Sequence, residues 1–311
     1  MATNVLELQN VYDALLPNLD AGLKVREEDV VRNETSSRVE CMLGRDLLIT
    51  NELTGLDIDK VFSGKSESLQ VKNVIDEKDR GDIVRAFVGH KDVEKEMVDP
   101  NPPIYSIGSH LYSARPGKVE EDYFAGLKKS NRVLSEILRG NDYLGDYMKQ
   151  IANRLGLDFV RFGDGKGNNV EYGSLRMWGW GGTVDKGKDK FVALPHEDLL
   201  DISNRFPELE ISKVNNVYAA ILCLSTGDEP SRTVVWDKVP TVEDDLDPNK
   251  KKDYVFTPDM IEGVDSYGIQ LHAGDLGIFP AHKIHAVIGD GERCTLSCFF
   301  HIHDGKLIFR T

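Results

Sequence analysis

The sequence predicts a mainly β fold, a sandwich or small barrel, preceded by a mostly helical region. Two observations lead to this fold class. From about residue 156 the apolar runs are short, rich in β-branched and aromatic residues, and separated by glycine turns, which is the pattern of sandwiches and barrels. Before that point, apolar residues recur at steps of three and four, as on one face of a helix.

The helical pattern is strongest between residues 120 and 155, where two apolar stripes are separated by a Gly-Asn break. A shorter amphipathic pattern, LELQNVYDALL, lies near the start of the chain. The prolines of PNPPIYS, near residue 100, predict a loop. We therefore expect a single domain, residues 1–311, with a mostly helical support region at 1–155 and the β core at 156–311.

A series of strand candidates follows in the C-terminal part of the chain. Each is bounded by a turn signal such as TGDEPS, AGD or GDGER. Strands of this length and spacing suit a sheet that is buried on at least one face. The candidate strands are 158–162, 170–178, 191–194, 214–224, 232–236, 267–272, 276–279, 284–288, 293–302 and 306–310.

Two polar segments between these strands are interpreted as connections. GDGKGNN, residues 163–169, is rich in glycine, but it has neither the spacing nor the following helix of a phosphate-binding loop. A hairpin turn is predicted there. The highly charged TVEDDLDPNKKKD, residues 241–253, predicts a solvated loop, and a lid over the mouth of a pocket is the functional alternative.

The bulk composition disfavours several classes of partner. The 311 residues carry a formal net charge of −14, whereas nucleic acids and anionic membranes attract basic surfaces. No run approaches the roughly 20 apolar residues that span a bilayer, and MATNVLELQN lacks the basic and apolar regions of a secretory signal. The four cysteines include no C-x-x-C pair, which predicts reduced interior thiols and a cytoplasmic location.

One short stretch carries the chemistry of a metal site. LPHEDLL, residues 194–200, places His196 and Asp198 two positions apart in an otherwise apolar run. If the stretch is extended, these two side chains share one face and Glu197 points to the other. One imidazole and one carboxylate are two of the three ligands of a facial triad, whose open positions suit non-haem Fe(II) oxygen chemistry. The third ligand, a histidine, is expected from a distant strand.

The C-terminal stretch GDLGIFPAHKIHAVIGDGERCTLSCFFHIHDG supplies a histidine and an arginine in the expected order. His285 opens a predicted strand. Arg293 and Thr295 follow across a GDG turn and share one face of the next strand, while Cys294 and Cys298 point away into packing. A buried arginine beside a hydroxyl is a good receptor for a carboxylate, because the planar guanidinium binds it in bidentate fashion.

The order and spacing of these residues, from His196 to Thr295, resemble the motif of the Fe(II)/2-oxoglutarate-dependent dioxygenases. GDLGIFPAHKIHAVIGDGER is similar to the most specific stretch of the prolyl-hydroxylase-like and alkaloid-tailoring members. PSRTVVWDK, before a long loop, is similar to the latter, a set of small-molecule hydroxylases and halogenases. The resemblance covers residues 170–311 and implies a double-stranded β-helix, a cupin-like jelly roll, with the N-terminal helices packed on one sheet.

The resemblance also implies a role for each residue. His196, Asp198 and His285 match the family's iron ligands and therefore its catalytic centre. Arg293 matches the anchor for the C5 carboxylate of 2-oxoglutarate, with Thr295 beside it. O2 is the second cosubstrate, and ascorbate is an expected stimulant. The family's halogenases have a small residue in place of the carboxylate ligand, so the presence of Asp198 favours hydroxylation over chlorination.

The implied activity is oxidation of an unactivated C–H bond in a small natural-product or amino-acid-derived substrate, with release of succinate and CO2. Desaturation and oxidative cyclisation, as in kainoid synthases, use the same ligands and stay open. Protein hydroxylation of the prolyl-hydroxylase type stays open as well. The alternative from another class is a metal-binding jelly-roll protein without turnover.

Two of the ligand assignments have alternatives within the sequence. His282 lies three residues before His285 and is the alternative distal ligand. Glu197 replaces Asp198 as the carboxylate ligand if the strand is bulged. His301 is interpreted as a strand residue near the chain end, because it follows the arginine.

The rest of the pocket is predicted from strand alternation. Tyr218 and Asn216 share a face on the strand after LPHEDLL, and either is a candidate contact to 2-oxoglutarate. Arg176, Trp178 and Trp180 alternate in RMWGWGG and are candidates to line the substrate pocket. Packing is the alternative for the two tryptophans, and a solvated edge charge is the alternative for Arg176.

Overall fold

The computed structural model describes residues 30–32, 41–43, 47–62, 66–96, 104–178, 190–227, 231–289 and 293–311. Its helices are α1 (Gly55–Phe62), α2 (Glu77–Val88), α3 (Ala125–Leu138), α4 (Tyr143–Leu155), α5 (Leu200–Arg205) and α6 (Val242–Leu246). A π-helical turn, Glu120–Phe124, precedes α3. The strands are β1 (Val30–Arg32), β2 (Cys41–Leu43), β3 (Leu47–Thr50), β4 (Ser68–Val71), β5 (Glu94–Glu96), β6 (Ile104–Ile107), β7 (Asp158–Arg161), β8 (Ser174–Trp178), β9 (Lys190–His196), β10 (Tyr218–Thr226), β11 (Arg232–Trp236), β12 (Lys251–Lys252), β13 (Val255–Phe256), β14 (Ser266–Gln270), β15 (Leu276–Pro280), β16 (His285–Gly289), β17 (Arg293–His303) and β18 (Lys306–Arg310).

The core of the protein is a double-stranded β-helix, which confirms the predicted jelly roll. The large sheet contains the order β8–β17–β10–β15, and the small sheet has the order β14–β11–β16–β9. All these neighbours pair antiparallel. From β8 to β17 the core strands alternate between the two sheets, and the exception is β11 and β14, which follow one another in the small sheet. This alternation wraps the chain around a common interior.

The register of β17 shows which side chains point into that interior. Thr295 lies opposite Arg176 of β8, and Phe299 lies opposite Arg310 of β18. Partner residues in an antiparallel pair share a face, and side chains alternate along each strand. The odd-numbered residues of β17, with these partners, therefore form one surface of the large sheet, which we call the inner face.

The inner face is turned toward the small sheet. Phe279 of β15 lies in the same row as Phe299, because both are paired with Ala219 of β10. The ring of Phe279 is in edge contact with the ring of His285 in the small sheet, with centroids 5.2 Å apart. Side chains on the inner face consequently border the space between the two sheets.

The opposite, outer face of the large sheet packs against helices, as the sequence predicts for the N-terminal region. Phe62 at the end of α1 is in ring contact with Tyr218 at 5.0 Å and with Phe300 at 6.1 Å. Cys294 and Cys298 are buried free thiols that alternate with the inner-face residues. The prediction that they serve packing is confirmed.

The helix pattern between residues 120 and 155 is also confirmed, and the structure shows how its two helices are separated. Arg139 and Gly140 adopt positive φ angles of 53° and 76° after α3, which ends the helix in a left-handed turn. Asp142 then caps α4 by accepting a hydrogen bond from the backbone N–H of Gly145. The Gly-Asn break in the sequence is therefore a tight link between two helices.

The region before residue 155 contains more β structure than the mostly helical prediction allows. Besides α1 to α4 it holds β1 to β6, which extend the large sheet beyond β15 and β8. Part of the predicted PNPPIYS loop is strand β6, because Tyr105 finds a backbone partner opposite Met177 of β8. Pairing with an existing strand edge outweighs a local loop preference. The LELQNVYDALL pattern lies outside the described residues.

The charged segment 241–253 is ordered in the structure and is not a simple solvated loop. Thr241 and Asp244 form a reciprocal capping box at the start of α6. The side chain of Lys251, only 4% exposed, pairs with Asp245 and lies 3.9 Å from the carboxylate of Glu197. The segment is thus attached to the chain directly after β9. Its role as a lid stays a prediction.

None of the helices in the described part of the chain has the length and apolar character needed to cross a membrane.

Candidate metal centre

Two histidines face each other where β9 and β16 meet in the small sheet. His196 is the last residue of β9, His285 is the first of β16, and the register pairs them directly. Their ring centroids are 4.4 Å apart. The Oδ2 atom of Asp198 lies 3.1 Å from Nε2 of His285. Ligand atoms of all three residues lie within 4.8 Å of one another, so one metal ion could contact all of them.

Both imidazole rings are held in the orientation that metal binding needs. Nδ1 of His196 donates to the carbonyl oxygen of Leu194 at 2.6 Å. Nδ1 of His285 donates to the carbonyl oxygen of Lys283 at 2.9 Å. A carbonyl oxygen only accepts, so in the neutral rings the proton is on Nδ1 and the Nε2 lone pair is free to bind a metal. The backbone therefore fixes the tautomer and ring direction of both ligands.

Asp198 is positioned by its own backbone. Its N–H donates to the carbonyl oxygen of Ala281 at 2.9 Å, which ties the segment after β9 to the segment before β16. The third ligand is thereby placed against the strand that carries His285. The sequence spacing places Asp198 near His196, and the hydrogen bond to Ala281 holds Asp198 beside His285.

The two alternative ligands have other roles. Glu197 is buried, and its Oε2 accepts hydrogen bonds from the backbone N–H groups of Leu199 and Leu200 at 2.6 and 2.7 Å. It therefore satisfies the start of α5 and points away from the histidines. Nδ1 of His282 is engaged with the backbone of Val217, and His282 is not part of the metal-ligand group.

The electrostatics of the three residues suit a cation. Burial, and then the charge of His285, lower the pKa of His196 to about 4, so this ring is neutral at neutral pH. Burial alone would lower the pKa of His285, but its hydrogen bond to Asp198 raises it overall. Burial alone would raise the pKa of Asp198, but its hydrogen bond to His285 and the positive charges nearby together lower it. A metal ion bound here would displace the proton shared by this pair, so metal affinity should fall in acid.

Arg293 lies at the start of β17 on the inner face and is almost fully buried, with 6% exposure. Its Nε has no hydrogen-bond partner among the residues that the structure describes, and burial lowers the pKa of Arg293. Within the described ranges, no carboxylate forms an ion pair with it. Thr295, on the same face, is buried as well. A buried guanidinium without a counter-ion is costly, so this position calls for an anionic ligand.

The pocket candidates on β8 lie on the same inner face. Trp178 is half-buried and directly opposite Arg293, and Arg176 is opposite Thr295. Nη2 of Arg176 donates to Oη of Tyr112 at 2.7 Å, and its guanidinium lies 5.6 Å from the centre of that ring. Arg176 is therefore bound to an aromatic side chain and is not a solvated edge charge. Trp180 lies outside the described residues.

Tyr218 and Asn216 do not lie with Arg293, contrary to the prediction. Tyr218 is on the outer face, where its ring stacks on Phe300 with centroids 5.5 Å apart. Asn216 precedes β10 and is exposed. The cause is the register, which places Tyr218 opposite an even-numbered residue of β17, whereas Arg293 is odd-numbered. That pairing could not be deduced from alternation within β10 alone.

Two tyrosines, one beside a metal-ligand candidate and one beside Arg176, were not anticipated from the sequence. The ring of Tyr254, which follows β12, is in edge contact with the ring of His196 at 6.2 Å. Tyr112 contacts Arg176. Both tyrosines are more than a third exposed, at 43% and 40%. They come from connections far apart in the chain, so no local pattern identifies them.

A search among protein-family models finds no match to this sequence. Among curated proteins, the L-isoleucine 3(1)-dioxygenase of Pantoea ananatis (strain AJ13355) is 24% identical over 160 residues, which are 49% of this chain and 51% of that protein. The chain thus matches about half of the length of this curated relative.

Solved structures show the same fold over nearly the whole chain. An N-substituted L-amino acid dioxygenase from Burkholderia ambifaria AMMD aligns with a TM-score of 0.54 and 15% identity, covering 91% of this chain and 97% of that one. The same enzyme in complex with alpha-KG aligns with a TM-score of 0.51 and 14% identity over the same shares. The chain therefore has the same fold as this dioxygenase, and it carries in that fold a His-Asp-His group whose ligand atoms lie close enough together to hold one metal ion.

Proposed function

We propose that this protein is an Fe(II)- and 2-oxoglutarate-dependent oxygenase that oxidises an unactivated C–H bond of a small amino-acid-derived molecule, with release of succinate and CO2. The observation that carries the proposal is the convergence of His196, Asp198 and His285 within 4.8 Å. The buried Arg293, on the sheet that faces this group, supports it.

The donor set fits Fe(II). Two imidazole nitrogens and one carboxylate oxygen form the facial triad that leaves positions for cosubstrate and O2. With neutral histidines and an ionised Asp198, the site would carry one net positive charge. The presence of Asp198 also supports oxygenation over chlorination, because the halogenases of the dioxygenase family that this sequence resembles have a small residue in place of the carboxylate ligand.

The residues present also fit 2-oxoglutarate. This cosubstrate is a dianion, so one carboxylate remains to be neutralised at the end distant from the metal. In the described part of the chain the Nε of Arg293 has no hydrogen-bond partner, and the planar guanidinium matches a carboxylate in bidentate geometry. Thr295 offers a hydroxyl on the same face.

Fe(II) and 2-oxoglutarate, when bound, would supply the oxygen-activating chemistry. The task of the chain is to hold the reacting C–H bond in place and keep other bonds away. His196 and His285 are fixed by backbone carbonyl groups before any metal binds. In this proposal Tyr254, which contacts His196, and Tyr112, which contacts Arg176, border the substrate.

The proposed substrate class is supported by the sequence relative, which is named as a dioxygenase of L-isoleucine. The conclusion that the substrate is a small molecule, and the cytoplasmic location, stay predictions. Desaturation and cyclisation would use the same residues, and product analysis distinguishes them from hydroxylation. A metal-binding protein without turnover would bind the metal but release no succinate.

The decisive experiment measures succinate release from 2-oxoglutarate by purified protein with Fe(II), ascorbate and a panel of L-amino acids. Mass spectrometry then identifies a product that has gained one oxygen atom. We expect Asp198→Asn to abolish both signals. The matched control is Asp304→Asn, because Asp304 has a 79% exposed side chain in a turn far along the chain from the ligands; it should keep full activity.

Metal binding gives a readout independent of turnover. Calorimetry with Ni(II) should show that Asp198→Asn weakens affinity by more than about 100-fold, above the effect of losing a supporting contact, whereas Asp304→Asn leaves it unchanged. If Asp198→Asn keeps both Ni(II) affinity and succinate release, the assigned centre is wrong. Binding of Ni(II) without succinate release from any substrate would favour the non-catalytic alternative.

A further inference from the structure

A second buried arginine lies on the inner face and has no role in the site described so far. Arg310, the last residue of β18, is 1% exposed. Its Nε, Nη1 and Nη2 atoms are all buried and, in the described part of the molecule, without a hydrogen-bond partner. Its guanidinium lies 4.9 Å from the centre of the Phe299 ring. The face of an aromatic ring offsets part of the cost of burying a cation. It does not replace the directed hydrogen bonds that the N–H groups of a guanidinium can donate.

The strand register places Arg310 at the opposite end of the inner face from Arg293. Arg310 is paired with Phe299, six positions along β17 from Arg293, which corresponds to about 20 Å along an extended strand. The charge of Arg310 acts on Asp198, although no hydrogen bond joins the two. The metal ligand Asp198 is therefore within reach of the field of Arg310.

His301 adds polar capacity beside Arg310. It is the next inner-face residue of β17 after Phe299, and it lies diagonally across from Arg310 through the pair His301 and Ile308. It is 1% exposed, and neither ring nitrogen has a hydrogen-bond partner among the described residues. Burial, and then the charge of Arg310, lower its pKa to about 3. The neutral ring offers one donor and one acceptor.

The guanidinium of Arg310 and the ring of His301 have hydrogen-bonding capacity that the described residues do not use, which indicates a ligand. A buried guanidinium without an anion is strongly unfavourable, and the nearby groups do not supply one. Tyr123 is in hydrogen-bond contact with Thr311, not with Arg310. Asp198 is held beside His285. In the proposed reaction the far carboxylate of 2-oxoglutarate belongs to Arg293, at the other end of the face. The remaining anion is one that arrives with the substrate.

We propose that Arg310 is the receptor for a carboxylate group of the substrate, with His301 as a neighbouring hydrogen-bonding group. The inference rests on the proposed function and deepens it. Two arginines would hold two carboxylates, one at each end of the inner face, with the metal ligands on the facing sheet. The substrate class is then a free carboxylic acid, such as an α-amino acid, and its esters and amides are excluded.

The test compares acids with their amides. Oxygen-free protein loaded with Ni(II) and 2-oxoglutarate is titrated by calorimetry with L-isoleucine and other apolar L-amino acids, and with their primary amides. Since hydrogen bonds to charged groups contribute about 1.5–3 kcal/mol, wild type should prefer at least one acid over its amide by about 10-fold or more. Arg310→Gln should remove that preference, and Arg310→Lys should keep part of it.

The matched control is Arg161→Gln. Arg161 lies on the neighbouring strand β7, paired with Phe309 on the outer face, and is bound to Asp142. The acid preference should be intact in this variant. Arg310→Met provides a second readout without substrate. Removing an unpaired buried charge should leave the melting temperature of the metal-free protein unchanged or higher.

Four results would overturn the inference: an acid preference that persists in Arg310→Gln, no acid preference in the wild type, a loss of 2-oxoglutarate or Ni(II) affinity in Arg310→Gln, or a marked drop in the melting temperature of Arg310→Met. The last two would assign Arg310 to the cosubstrate, the metal or the fold. Failure of the proposed function is distinguishable, because then wild-type protein would not bind 2-oxoglutarate in the presence of Ni(II).

Discussion

Replacement of Arg293 by glutamine tests the cosubstrate site most directly. The guanidinium is 6% exposed, so a carboxylate bound to it would be largely removed from water. Breaking a buried ion pair by removing one partner costs about 3–5 kcal/mol. At about 1.4 kcal/mol per factor of ten, Arg293→Gln should weaken 2-oxoglutarate binding roughly 100- to 5,000-fold. Arg293→Lys keeps the charge but loses the planar fork, so its loss should be smaller.

The assay measures the Kd of 2-oxoglutarate on Ni(II)-loaded protein without oxygen, beside 2-oxovalerate, in which a methyl group stands in place of the C5 carboxylate. Wild type should prefer 2-oxoglutarate by the same large factor. Arg293→Gln should bind both ligands about equally, with its 2-oxovalerate affinity near that of wild type. Arg161→Gln, on the outer face, is the control and should match wild type.

The reasoning is refuted if Arg293→Gln still prefers 2-oxoglutarate over 2-oxovalerate. It is also refuted if this variant loses affinity for both ligands equally, because Arg293 would then support the shape of the pocket and would not bind the distal carboxylate.

Three further predictions concern stability. Glu197→Leu should lower the free energy of unfolding by about 1–3 kcal/mol in a urea titration, because the backbone N–H groups of Leu199 and Leu200 would lose their hydrogen-bond acceptor. His301 has a folded-state pKa of about 3, below its ordinary value because of burial and Arg310, so its stabilising contribution is present above pH 6.5 and lost as pH falls. His301→Gln should therefore flatten the decline in stability between pH 6 and 4 by about 1.4 kcal/mol per pH unit. Gly173→Ala should lower the melting temperature, because a Cβ there would meet the backbone carbonyl oxygen of Ser297.

Each of these predictions has a result that contradicts it. A urea midpoint unchanged in Glu197→Leu would show that the two hydrogen bonds from Leu199 and Leu200 add nothing to stability. His303→Gln is the control for His301→Gln, because the side chain of His303 is partly exposed, at 26%; equal slopes in the two variants would refute the burial argument. The control for Gly173→Ala is Gly268→Ala, because a Cβ at Gly268 would lie in open space. Gly163→Ala is unsuitable as a control because that site is crowded as well.

The local structure of this protein was largely predictable from its sequence. The strands β7 to β11 and β14 to β18 and the helices α3 and α4 fall close to their predicted positions, because side-chain periodicity reflects the backbone geometry of each element separately. The three metal-ligand candidates were predictable as well, because their spacing is a property of two short stretches. Their convergence is visible in the pairing of His196 with His285.

Residue placement across strands was not predictable in the same way. Tyr218 and Asn216 were assigned to the cosubstrate from alternation along β10, and the pairing of Tyr218 with Phe300 places its ring among the helices instead. Part of the predicted loop near residue 100 became β6, since the edge of β8 was available to pair with it. Both outcomes depend on which strand lies next to which, and local sequence does not contain that information.

The sequence by itself determined the fold class, the identity of the three metal-ligand candidates and the arginine that follows them. Periodicity and motif spacing are local properties, so they can be recognised without knowing which strands and helices lie next to one another. Only the tertiary structure decided that Tyr254 lies beside His196, that Tyr112 contacts Arg176, and that Arg310 is a buried cation with no described hydrogen-bond partner. These facts arise from register, from loops that meet across the fold, and from the exclusion of water between two sheets, which act between residues far apart in the chain.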